Sequence, residues 1–183
     1  MNKTIILISG KARAGKDTFA LGLDGYNKYS FAGQLKDFAI KLGWNGHKDE
    51  RGRKFLQDLA STVREYNRDT WVNLVCRMLE TSSYPNKIAI TDCRYLNEIQ
   101  IMRQWGKKNG YKVITVRIER PNYDNGLTEE QKNHPSETEL DGFCFDHIIE
   151  NSGTIGDLIC IASSCFASGA YSDSTSQDGH TSF

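Results

Sequence analysis

Apolar residues along the chain fall into short unbroken runs and longer runs spaced three and four apart, and the two kinds alternate. Thr4-Ile5-Ile6-Leu7-Ile8 is unbroken and β-branched, which predicts a strand covered on both faces, and glycines follow it at once. Phe19, Leu21 and Leu23 continue into a helix that ends near Gly25, and a short extended piece follows around Tyr29-Ser30-Phe31. Leu35, Phe38, Ala39 and Leu42 repeat at helical spacing up to Gly43, and Phe55, Leu56, Leu59 and Val63 write a second amphipathic helix. Beyond Asp69, an N-cap residue type, Trp71, Leu74, Val75, Met78 and Leu79 predict another. Lys87-Ile88-Ala89-Ile90-Thr91 reads as a buried strand that stops at Asp92, with Leu96, Ile99 and Met102 on the helix behind it and Lys112 to Ile118 as the next strand. Asp146-His147-Ile148-Ile149 is a last short strand, and Ile155 to Ala162 a last helix. Strands that alternate with helices predict an α/β fold, a three-layer sandwich around a mostly parallel sheet.

Two stretches break the alternation. Residues 120 to 142 are polar and turn-rich and hold two of the three prolines, Pro121 and Pro135, so they read as a mobile excursion outside the core. Residues 163 to 183 are polar and serine-rich and read as a loosely ordered tail behind a single domain spanning residues 1 to 162. The overall composition, 183 residues with 38% hydrophobic and 25% charged, suits one globular domain. Lys+Arg 23 minus Asp+Glu 23 gives zero net charge, so a basic footprint for nucleic acid or an anionic membrane is absent, and an anion has to be bound locally. No apolar run reaches the roughly 18 residues a bilayer span needs, and Met1-Asn2-Lys3-Thr4 leads directly into a strand, so a soluble cytoplasmic protein is expected. Cys76, Cys93, Cys144, Cys160 and Cys165 are odd in number and form no C-x-x-C pair, which fits buried thiols in a reducing compartment better than disulfides or structural zinc.

The strongest chemical signal is Gly10-Lys11-Ala12-Arg13-Ala14-Gly15-Lys16-Asp17-Thr18, a G-x-x-x-x-G-K phosphate loop with Asp where Ser or Thr is usual. It lies between a buried strand and an amphipathic helix, where backbone N–H groups can surround a polyphosphate. Lys16 would reach the outer phosphates of ATP, and Thr18 would add a hydroxyl. Asp17 either favours its helix's positive end or serves as a ligand, direct or through water, of Mg²⁺ bridging the phosphates. A glycine-rich turn with a solvated lysine is the alternative for the whole loop.

This loop, with Phe31-Ala32-Gly33-Gln34-Leu35-Lys36, Gly52-Arg53-Lys54-Phe55-Leu56-Gln57 and Trp71-Val72 beyond it, resembles the bacteriophage deoxynucleoside monophosphate kinases. Thr91-Asp92-Cys93-Arg94-Tyr95-Leu96-Asn97-Glu98 and the run Asp146 to Thr154 extend the resemblance, in order, over about residues 3 to 162. The G-K-D form of the loop is shared with the related phosphomevalonate kinases, whereas Ala60-Ser61-Thr62 stands where relatives tend to have Gly-Thr. The resemblance implies a P-loop nucleoside monophosphate kinase fold and Mg²⁺-dependent transfer of the ATP γ-phosphoryl group to a deoxynucleoside 5′-monophosphate. It also implies small nucleotides as partners, the host cytoplasm as location if a phage encodes the chain, and frequent homodimers.

The same resemblance gives Lys16, Arg13, Asp92 and Arg120 catalytic places, with Gly10, Lys11, Ala12, Ala14, Gly15, Lys16, Asp17 and Thr18 around the nucleotide. It puts Lys36, Arg53, Gln57, Arg64, Trp71 and Arg94 at the acceptor. Asp92 ends a strand, so it either orients the acceptor or Mg²⁺ water, or caps the next helix. Arg94 suits bidentate phosphate binding. Arg53, Gln57 and Arg64 share a helix face that meets the acceptor or is a charged outer face. Residues 120 to 142 read as a lid that delivers Arg120, with Arg117 a second candidate. The role of His134-Pro135-Ser136-Glu137 stays open. Two alternatives remain beside this reading: the same fold acting on phosphomevalonate or a hydroxymethylated base in DNA, and a nucleotide-binding ATPase module without a small acceptor.

Overall fold

A computed structural model describes residues 3–47 and 49–166. Five strands, β1 (Lys3–Ser9), β2 (Asn27–Tyr29), β3 (Lys87–Cys93), β4 (Tyr111–Glu119) and β5 (His147–Glu150), form one sheet in the order β2-β3-β1-β4-β5. Every pairing is parallel. The helices are α1 (Lys16–Leu21), α2 (Phe31–Lys41), α3 (Glu50–Tyr66), α4 (Thr70–Thr81), α5 (Leu96–Lys108), the short α6 (Glu129–Lys132) and α7 (Pro135–Thr138), and α8 (Ile155–Phe166).

The unbroken apolar run of β1 is explained by what covers it. Ile5 and Leu7 face a core shared with Ile88 and Ile90 of β3 and with Phe31, Leu35, Trp71, Val75, Leu79, Ile99 and Met102 from α2, α4 and α5. Ile6 and Ile8 face the other side, against Phe19 and Ala20 of α1 and Leu158 and Ala162 of α8. Each fully buried Ile or Leu contributes about 1.5–3 kcal/mol, so this central strand is held from both sides. On α2 the apolar repeat divides: Leu35 and Ala39 enter the core, while Phe38 and Leu42 stay exposed.

Parallel pairing brings all carboxyl ends to one edge. Ser9 of β1 pairs with Cys93 of β3 and with Arg117 of β4, and Glu119 of β4 pairs with Glu150 of β5. The chain fills one side of β1 with β2 and β3 and then crosses to the other for β4 and β5, so the crevice opens beyond the end of β1.

Two expectations change here. The excursion from 120 to 142 is not wholly outside the core, because Leu140 is buried in the α2/α4/α5 layer and α6 and α7 give the segment structure. The last helix continues past Ala162 to Phe166, whose ring meets the Phe19 ring edge-on at 6.2 Å. Residues 163 to 166 therefore belong to the helix rather than to a tail, and the expected tail from 167 onward lies outside the described residues.

α1 and α8 cross at Gly22, where an added Cβ would sit 2.3 Å from the Ile159 carbonyl oxygen and 2.8 Å from the Ala162 Cβ. Gly22→Ala is expected to destabilise the protein by about 1–3 kcal/mol, read as a lower midpoint in urea unfolding with an unchanged m-value.

Candidate functional site

Beyond β1 the chain turns through the phosphate loop, and its two glycines are required by space and by backbone angle. Gly10 has φ +149°, with an added Cβ falling 2.5 Å from the Ile118 carbonyl oxygen; Gly15 has φ +104°, with one falling 2.6 Å from the Asn151 amide. Arg13 between them also adopts a positive φ of 61°. The loop is buttressed from β5, because Asn151 Nδ2 donates to the Ala14 carbonyl at 2.9 Å.

Lys16 is buried and folds back over its own loop, donating from Nζ to the carbonyl oxygens of Gly10 and Lys11, each at 2.8 Å. Burial lowers its pKa to about 8, and the Arg94 guanidinium adds to that, while Glu137, Asp17 and Asp92 pull the other way. A cleft of about 360 Å³ opens beside it, lined by Arg13, Gly15, Lys16, Asp17, Thr18, Arg120, Asn151 and Gly153. A second hollow of about 250 Å³ is lined by Lys11, Ala12, Arg117, Arg120 and Tyr123. Arg120 borders both, its guanidinium 3.7 Å from the Tyr123 ring centre.

On the β3 side a second cluster forms. Glu98 is 2% exposed and its Oε2 accepts from the backbone N–H of Arg94 at 2.7 Å and of Tyr95 at 3.0 Å. Arg64 reaches the same carboxylate, Nη2 lying 3.7 Å from Oε1, and its guanidinium stacks on the Tyr95 ring with 4.1 Å to the centroid. Burial pushes the Glu98 carboxyl up to about 8, against the opposing pull of the Arg94 N–H and the Arg64 charge. Arg94 itself pairs through Nη1 with Glu137 Oε1 and donates to the Ser136 carbonyl at 3.0 Å.

The segment from His134 to Asp141 lies across the loop. Glu137 Oε2 accepts from the Ala12 N–H at 2.8 Å. Asp141 bridges Lys11 Nζ at 3.0 Å and Arg117 Nη2 at 2.8 Å. Glu139 accepts from Arg68 at 2.6 Å and from the Leu96 N–H at 2.9 Å. His134 caps α7 through Nδ1, and burial followed by the nearby Arg64 charge lowers its pKa.

Several sequence-stated places change. Trp71 is 4% exposed and packs in the core with Nε1 directed at the Ala60 carbonyl of α3. The Asp92 carboxylate accepts from Ser30 Oγ, the Phe31 N–H and the Ala32 N–H, each at 2.8 Å. It thus caps α2, across the sheet, and not the helix that follows it, at whose start Glu98 accepts from the Arg94 and Tyr95 N–H groups. Arg117 belongs to β4 and is buried, donating to Ser9 Oγ at 3.3 Å as well as to Asp141, so it is not a surface charge on a loop. Arg64 is the member of the α3 trio that joins the Glu98 cluster; Gln57 on α3 and Lys36 on α2 are half-buried, and Arg53 is exposed. Asn151, Asp141 and Glu98 were not singled out from sequence.

No known family profile matches the sequence, and no curated protein matches it significantly. Solved structures do match in shape. A candidate kinase of Chloroflexus aurantiacus superposes with a TM-score of 0.54 at 13% identity, over 92% of this chain and 98% of that one. The tunicamycin resistance protein of Deinococcus radiodurans gives 0.51 at 16% identity, over 89% and 95%. The APS kinase CysC of Mycobacterium tuberculosis, in complex with AMPPNP and APS, gives 0.50 at 9% identity, over 87% and 95%. With a five-stranded all-parallel sheet flanked by helices and a phosphate loop after its central strand, the chain has the fold of the P-loop kinases.

Proposed function

We infer that the protein is a kinase that transfers the ATP γ-phosphoryl group to a deoxynucleoside 5′-monophosphate. The observation that carries this reading is a second cation cluster beside the Lys16 loop: the Arg94 charge acts on Lys16, Glu137 links Arg94 to the Ala12 N–H, and Arg64 sits on the neighbouring Glu98 carboxyl. A nucleotide-binding module without an acceptor needs the first cluster and gives no reason for the second.

The triphosphate would lie on the backbone N–H groups of the loop, with its nucleoside in the cleft between Thr18, Arg120, Asn151 and Gly153. Lys16 would give up its two carbonyl partners for the outer phosphates, exchanging neutral acceptors for charged ones. Arg120 at the rim and Arg13 in the loop stand where negative charge grows as the bond to the leaving group lengthens. Arg64, paired with Glu98, and Arg94, whose guanidinium pairs with Glu137, would orient the acceptor phosphate, with Lys36, Arg53 and Gln57 further out along the same side. That phosphate is already a nucleophile near neutral pH, so alignment and charge stabilisation suffice without a strong base. Asp92, by fixing the start of α2, would position the acceptor side indirectly.

Among the described residues no group of three or more His, Cys, Asp or Glu is placed to hold a metal by itself. A Mg²⁺ ion shared with phosphate oxygens would take exposed Asp17, in the first turn of α1, as its protein ligand. Mg²⁺ so bound supplies charge neutralisation on the phosphates. No helix among the described residues is long and apolar enough to cross a membrane, and soluble nucleotides are the partners this reading requires.

Coupled ADP production with ATP and Mg²⁺, adding dTMP, dGMP, dCMP and dAMP one at a time, is expected to show acceptor-dependent turnover. Lys16→Ala should reduce it by at least about a hundredfold while the protein stays folded. ADP formed at the same rate with no monophosphate present would sink the assignment in favour of an ATPase module.

The second expectation concerns Glu98. A carboxyl whose pKa is about 8 in the folded chain and near 4.5 when unfolded binds its proton more tightly in the fold, so its contribution is present at low pH and is lost as pH rises toward 8. The melting temperature should therefore fall between pH 5 and pH 8. Glu98→Gln, which keeps the shape without the titration, should flatten that slope; a variant curve parallel to the parent's would refute the assignment of the titration to Glu98.

A further inference from the structure

The segment that carries Glu137 is remote in sequence from the phosphate loop, yet it delivers a carboxylate to one of the loop's own donors, the Ala12 N–H. Oε2 accepts from the Ala12 N–H at 2.8 Å while Oε1 pairs with the Arg94 guanidinium, and the Glu137 side chain is 9% exposed. A negatively charged pair of oxygens between a loop N–H and a guanidinium has the chemistry of two oxygens of a phosphoryl group. His134 and Ser136 fix the backbone that presents it, through the His134 Nδ1 cap and the bond from Arg94 to the Ser136 carbonyl.

Resting on the kinase reading above, we propose that Glu137 is an internal anion that fills the phosphate loop of the empty enzyme and is exchanged for the terminal phosphoryl group of the incoming triphosphate. The two anions cannot share one donor set, since like charges a few ångströms apart in a partly buried crevice repel by several kcal/mol. Arrival of the triphosphate therefore ejects the carboxylate. Its departure also releases Arg94, whose guanidinium then lacks a counter-charge and is ready for the acceptor phosphate. Donor binding thus prepares the acceptor site, and an acceptor arriving first meets an Arg94 already engaged.

Lys16 supports the same exchange, because it bonds to carbonyls of the loop and not to Glu137, and so stays available to a phosphate that brings its own charge. Asp141 and Glu139 tether the segment at Lys11, Arg117, Arg68 and the Leu96 N–H, so release of Glu137 does not require the whole segment to leave.

The test is equilibrium binding of AMPPNP with Mg²⁺, followed by calorimetry, to the full-length wild type, to Glu137→Gln and to Lys16→Ala. Removing the competing charge should tighten AMPPNP binding by about tenfold in Glu137→Gln, because less of the unliganded population is closed against the ligand. Glu137→Asp, one methylene shorter and still charged, should also bind more tightly, and it serves where the Gln variant melts early. Equal or weaker AMPPNP affinity in both folded variants would overturn the exchange. Wild-type binding that depends on Lys16 but is indifferent to Glu137 removes this inference alone. Absence of AMPPNP binding from every form removes it together with the kinase reading.

Discussion

A loop of backbone N–H donors that faces open space is an unstable object, and the rest of this molecule is arranged so that it can exist. Donors left without acceptors away from water cost about 1–3 kcal/mol each, so the loop needs rigid support and an anion opposite it. Support comes from its neighbours: β4 brings the Ile118 carbonyl against Gly10, and the Asn151 amide after β5 fits against Gly15 and bonds to Ala14. The burial of β1 on both faces fixes the direction in which the loop leaves the sheet.

The anion comes from a distance. Glu137, Glu139 and Asp141 occupy alternate positions along and just after the one-turn helix α7, and each finds a positive partner at a different point of the chain. Half-exposed ion pairs such as Lys11 with Asp141 are individually worth about 0–1 kcal/mol, whereas bonds from a carboxylate to backbone N–H groups are stronger. What holds the segment is the combination, together with Leu140 buried at its end. A segment secured by several modest contacts can release one of them without losing the others, which is the property an exchange of anions requires.

The sheet and its helices were legible because their signals are local. The run from Thr4 to Ile8, the loop spacing from Gly10 to Lys16 and the apolar repeats of α3, α4 and α5 each lie within one strand, loop or helix. Long-range pairing leaves no such trace. The excursion read as mobile because Glu137, Glu139 and Asp141 look like solvated charges until Arg94, Arg68 and Arg117 are brought beside them by the fold. Trp71 is legible as an apolar ring, but that the volume it fills lies against α3 is set by the fold. Asp92 was rightly located at a strand end, but sequence could not show that the donors waiting there belong to α2.

Self-satisfaction also sets what the crevice selects. Lys16 holds two carbonyls, Glu137 holds Ala12 and Arg94, and Glu98 holds the Arg94 and Tyr95 backbone. A ligand gains only the difference between its own bonds and those it replaces. A small monoanion offers one charge and few oxygens, about what Glu137 already provides, and so gains little by displacing it. On the proposed exchange, a polyphosphate would replace the carboxylate and at the same time recruit Lys16 and further loop donors, so the gain would grow with the number of connected phosphates. Discrimination by length and charge would then follow from the internal partners, with no separate element needed to reject simple anions.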